Sequence, residues 1–81
     1  LDSVESKLNS MGYHCSCIGL DEKLIIFSEK KEELKVLLKT TQKLFKINPK
    51  NIIVKNILKL PRGESGKVQY PVLYEIYKEK I

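Results

Sequence analysis

The sequence predicts an α+β domain in which a small mixed three-stranded sheet is flanked by three helices, in the order α-β-β-α-β-α. Three observations carry that expectation. Apolar residues recur at helical spacing at the start, the middle and the end of the chain. Two strand-compatible clusters lie close enough together to form a hairpin, and a third strand follows only after a helix-length crossing. The chain of 81 residues suits one core of modest size.

Leu1, Val4, Leu8 and Met11 mark one side of a first helix. Asp2 followed by Glu5 reads as a capping box, so the helix is expected over residues 3–10, with Gly12 ending it. Residues 13–18 and 23–28 read as strands, the second centred on Ile25, Ile26 and Phe27, with residues 19–22 as the turn of a hairpin. Leu34, Leu37, Leu38, Thr41, Leu44 and Phe45 then trace an apolar stripe that predicts a second helix over 31–45. Asn48 and Pro49 break it, and residues 52–58 resume a strand with apolar side chains for both faces of a sheet. Strand, helix and strand in that order predict a right-handed crossover and a parallel pair. Residues 61–67 read as a loop by composition, and Pro71 suits the first turn of a last helix carrying Val72, Leu73, Ile76 and Tyr77. Internal repeats, linkers and low-complexity tracts are absent from the sequence.

A hydrophobic share of 42% and a charged share of 31% belong to a chain that folds. The longest apolar run, residues 24–27, falls far short of the roughly 20 residues of a spanning helix, and no signal-peptide pattern opens the chain, so the expected compartment is the cytoplasm. Leu1 stands first and Met11 is the only methionine, which suggests a piece of a longer protein. Cys15 and Cys17 share one face of an extended segment, too constrained for an ordinary disulfide, and are read as buried free thiols. His14 would point to the opposite face and no further Cys or His exists, so no metal site is expected. A formal net charge of +5 favours polyanions such as RNA, nucleotides, coenzyme phosphates or an acidic protein, without choosing among them.

The segment LPRGESGKV, residues 60–68, sets two glycines, a serine, an arginine and a lysine between a buried strand and a helix. Gly66 frees the backbone, and Lys67 adds a mobile ammonium with three donors. A phosphate-cradling Walker loop is excluded: Pro61 occupies its leading glycine position and Val68 its hydroxyl position.

The same segment resembles the C-terminal signature of the adenylate-forming superfamily, which includes acyl-CoA synthetases, adenylation domains of nonribosomal peptide synthetases and carrier-protein ligases. Pro61, Ser65, Gly66, Lys67, Val68 and Leu73 occupy the signature places. The opening helix LDSVESKL resembles the helix after that family's hinge, and Asn48-Pro49 the turn before its penultimate strand, so the likeness covers nearly the whole chain. It departs at Gln69, where an acidic residue is common, and before Leu1, where the hinge and its Gly-rich hairpin would stand.

The resemblance implies that residues 1–81 form a single C-terminal lid subdomain of an AMP-forming ligase. It would close on its own N-terminal adenylation domain, with ATP, Mg²⁺ and a pantetheine thiol, of coenzyme A or a carrier protein, as the reactants and cofactors of the full-length enzyme. Lys67 would be the catalytic group, bridging carboxylate and phosphate, with Arg62, Ser65 and Gly66 as the substrate-binding and ATP-binding loop. The isolated fragment would bind none of these and catalyse nothing.

Lys31, Lys35, Lys39 and Lys43 form a slowly winding basic stripe on the second helix. Its bland reading is a solvated face; its sharper one, at Lys35, Lys39 and Lys43, is a docking strip for an acidic carrier protein or for coenzyme A. Tyr70, Tyr74 and Tyr77 share a helical face, better suited to core packing than to stacking bases. A basic nucleic-acid-binding module, or an interaction module that has lost catalysis, is therefore the alternative, with nucleic acid disfavoured.

Overall fold

The computed structural model describes residues 2–20 and 22–79, with side chains over residues 3–20 and 22–78. Helix α1 spans Asp2–Ser10. Its end is set by Gly12, whose φ of 99° lets Tyr13 N donate back to Leu8 O (3.3 Å) and Gly12 N to Asn9 O (3.1 Å), the bond pattern of a Schellman cap. Tyr13 thus belongs to the helix cap, which is why strand β1 starts later than expected and covers Cys15–Leu20. His14 precedes that strand and is exposed, so the expected placement of its side chain across the strand is corrected. Met11, expected on the buried side of the helix, lies past its end and is 48% exposed. The capping-box reading of Asp2 concerns a side chain outside those described, and Leu1 lies outside the described residues. Glu5, its expected partner, is used elsewhere.

Strand β2, Lys23–Ser28, pairs antiparallel with β1 through a register that sets Cys17 against Ile26 and Leu20 against Lys23. The turn is therefore tighter than the expected 19–22; Glu22 in it has a φ of 62°, and Asp21 lies outside the described residues. A short 3₁₀ turn, Lys31–Glu33, leads into helix α2, Leu34–Phe45, which stops where Lys46 turns left-handed at φ 51°. Asn48 accepts a hydrogen bond from Lys50 N (3.0 Å), closing the turn around Pro49 that delivers strand β3, Ile52–Asn56. β3 runs parallel to β2, giving the mixed sheet β1-β2-β3. Helix α3, Tyr70–Glu79, completes the order α-β-β-α-β-α, an α+β fold.

Strand alternation divides the core in two. Cys15, Cys17, Leu24, Ile26 and Ile52 face Val4, Leu8 and Leu37 from α1 and α2. Ile18, Ile25 and Phe27 face Leu60 and, from α3, Leu73 and Tyr77. Helices α1 and α2 therefore cover one face of the sheet and α3 the other. Leu44, expected in the α2 stripe, sits on its flank and is 44% exposed.

The β2–β3 ladder closes with Ile57 N donating to Ser28 O (2.9 Å), an acceptor that Asn56 Nδ2 shares (3.1 Å), and β3 ends before the expected residue 58. Ile57 packs inward while Leu58 stands 97% exposed.

Candidate functional site

The residues read as a loop form a small β-hairpin. Leu60 anchors it: its side chain is buried against the α3 side of the sheet, and its amide donates to Glu29 Oε2 (2.7 Å). From that anchor Arg62 pairs antiparallel with Val68, with Gln69 N donating to Pro61 O (2.9 Å) and Gly63 N to Lys67 O (2.9 Å). Gly66 N returns to Gly63 O (3.0 Å), and Gly66 has a φ of 82°. This is a three-residue hairpin loop with a glycine bulge, and only glycine takes the bulge without strain. The Arg62 guanidinium donates to Gly66 O (3.1 Å), tying one arm to the bulge.

Strand alternation in this hairpin decides where the lysine goes. Val68 packs against the α3-side core, so its neighbour Lys67 projects away and is exposed. Its ammonium has no partner among the described residues. Glu64 and Ser65 are exposed at the tip. Arg62, Ser65, Gly66 and Lys67 thus come together on one turn, with Arg62 bracing it from within. Lys35, Lys39 and Lys43 are exposed on α2, beside exposed Val36 and Leu44. That helix packs on the other face of the sheet, so the structure does not bring these lysines to the hairpin.

Sequence reasoning missed the brace behind the hairpin. Glu5 Oε2 accepts from the hydroxyl of Tyr70 (2.5 Å), the residue that begins α3, and Glu5 Oε1 accepts from Cys17 N (2.9 Å). Asn9 Oδ1 accepts from Cys15 N (3.2 Å) and, from α3, the hydroxyl of Tyr74 donates to Gly19 O (2.9 Å). Three side chains thereby occupy the free edge of β1, which would otherwise offer unpaired backbone groups to another chain. The Glu5 to Tyr70 contact joins residues 65 apart in sequence, and no local pattern announces it.

Between α1, the entry to β1 and the hairpin lies a groove of about 290 Å³, with Glu5, Asn9, His14, Ser16, Arg62 and Val68 in its wall. Cys15 and Cys17 are free and buried. The neighbouring Cys15 thiol, then burial, push the Cys17 thiol well above the usual thiol range, which marks it as an inert core group rather than a nucleophile. Among the described residues no three His, Cys, Asp or Glu side chains gather as a metal site would require. No described helix is long and apolar enough to cross a membrane. No protein-family model, curated protein or solved structure matches the chain.

Proposed function

We propose that the chain is the C-terminal lid of an AMP-forming acid-thiol ligase and that Lys67 is its catalytic group. The observation that carries this is the presentation of Lys67: an exposed ammonium, without a partner among the described residues, beside a glycine-bulged turn whose backbone is closed on itself. The closed turn fixes the backbone that carries this mobile ammonium, and a cation so placed can meet an anion carried by another domain. Carboxylate and phosphate repel each other, and a positioned ammonium offsets that charge and holds the two in contact.

ATP with Mg²⁺ would supply the adenylyl group and a pantetheine thiol would accept the acyl group, with ATP and the carboxylic acid bound by the N-terminal domain. The residues of this chain do the remaining work. Arg62 holds the bulge through Gly66 O, Gly66 sets the turn, and Ser65 offers an exposed hydroxyl at the tip. The exposed lysines of α2 suit an acidic carrier protein or coenzyme A phosphates in the thiol-transfer step.

The nucleic-acid alternative draws on the +5 charge but loses its stacking platform. Tyr77 is buried, and the Tyr70 and Tyr74 hydroxyls are bonded to Glu5 and Gly19.

In the full-length ligase, Lys67→Ala should slow adenylate formation by about 10²-fold, the scale of losing one preorganised donor. Transfer from a supplied acyl-adenylate should be much less affected. Pyrophosphate exchange at the wild-type rate in that variant would refute the assignment.

A further inference from the structure

The groove behind the hairpin has a chemistry of its own. Its volume, about 290 Å³, lies near the lower end of small-molecule sites, roughly 300 Å³ upward. What distinguishes it is a set of open donors beside one carboxylate whose two oxygens are each already engaged once. The two oxygens of Glu5 accept from Cys17 N and from the Tyr70 hydroxyl. Asn9 Oδ1 accepts from Cys15 N and, at 3.7 Å, from Cys15 Sγ, so the open end of that amide is its NH₂. Arg62 commits Nη1 to Gly66 O, and the rest of its fork is without a partner among the described residues. Ser16 is only 2% exposed, yet its hydroxyl makes no hydrogen bond among the described residues. That hydroxyl opens on the groove, where a ligand atom can meet it.

We infer that this groove binds an oxyanion group, a carboxylate or a phosphate, of a small ligand, through Arg62, Ser16 and the Asn9 amide. The Glu5 charge opposes any anion there and the Arg62 charge offsets it, so a bare ion gains little. The gain falls to a group that accepts several directed hydrogen bonds at once. Because Arg62 and Val68 face each other across the root of the hairpin, a bound ligand also fastens the hairpin to α1 and β1. The inference does not depend on what Lys67 does at the tip.

An amide NMR titration of the protein with inorganic phosphate, and separately with acetate, tests it at constant ionic strength with chloride as the balancing salt. Saturable shifts are expected at the Asn9 side-chain amide and at the His14, Ser16 and Val68 backbone amides, with slower hydrogen exchange at Gly63 and Gln69. Saturation by phosphate alone identifies a phosphoryl ligand, and by acetate alone a carboxylate. Arg62→Gln should weaken binding about tenfold or more, and Ser16→Ala about fivefold, the scales of a charge-assisted and a neutral hydrogen bond. Ser16→Ala is the deciding variant, since the Ser16 side chain makes no hydrogen bond to the hairpin while Arg62→Gln also frees Gly66 O. Shifts that fail to saturate, that centre on Lys35, Lys39 and Lys43, or that Ser16→Ala leaves unchanged overturn the inference.

Discussion

Thr41 is the residue where local preference and tertiary packing conflict most plainly. It lies on the buried side of α2, fully inaccessible, and its Oγ1 has no hydrogen-bond partner among the described residues. A buried hydroxyl left unpaired forfeits about 1–3 kcal/mol of hydration. Valine has nearly the same shape and helix propensity without the hydroxyl. Thr41→Val is therefore expected to stabilise the fold by about 1 kcal/mol, raising the thermal midpoint by about 5 °C for a domain of this size. Calorimetry would check it, and a lowered midpoint would mean that the hydroxyl has a partner in solution. The apolar stripe made the burial of Thr41 legible in the sequence, but not the fate of its hydroxyl, since a helical period reports which side a residue faces and nothing about what meets it there. The same limit applies to Leu44 and Met11, which carry the right period and lie on the flank of one helix and just past the last turn of another.

At the scale of elements, runs of strand-compatible, β-branched and aromatic residues were enough to place the strands. Their ends were set by hydrogen bonds that composition does not encode. β1 begins late because the α1 cap claims Tyr13, and the β3 ladder closes at Ser28 O, which accepts from both Ile57 N and the Asn56 side chain. The hairpin of Arg62 and Val68 read as a loop for the same reason: its order resides in backbone bonds between glycine-rich arms. Glu5 is the least legible member of the site, since its position suggested a capping box while its carboxylate ties α1 to β1 and to the start of α3. Tyr70→Phe removes the donor to Glu5 Oε2 and leaves a partly buried carboxylate short of one bond. A loss of about 1.5 kcal/mol is expected, the lower end for a hydrogen bond to a charged group. Amide hydrogen exchange should quicken at Cys17 and Val72, next to the two ends of that tie. Unchanged exchange at both positions would show that the brace carries no load.

At the scale of the whole molecule, the sheet separates two basic regions. The hairpin is rooted on the side covered by α3, while Lys35, Lys39 and Lys43 lie on α2 across the sheet. The molecule measures 34 × 28 × 23 Å, and helix and sheet layers intervene, so the separation exceeds the Debye length of about 8 Å at physiological salt. The α2 charges are then screened from chemistry at Lys67, and the two regions can be altered independently. In the proposed lid, Lys35→Glu combined with Lys39→Glu should leave adenylate formation within about twofold of wild type. It should slow acyl transfer to an acidic carrier protein by tenfold or more and flatten that step's dependence on salt, because complementary charge acts mainly on the rate of encounter. Exposed Val36 and Leu44 flank those lysines and would supply the apolar contact that holds the encounter once made. If the double variant slows adenylation as much as transfer, the two faces are coupled through the fold. If it changes neither step, the α2 lysines are a solvated face and the carrier docks elsewhere.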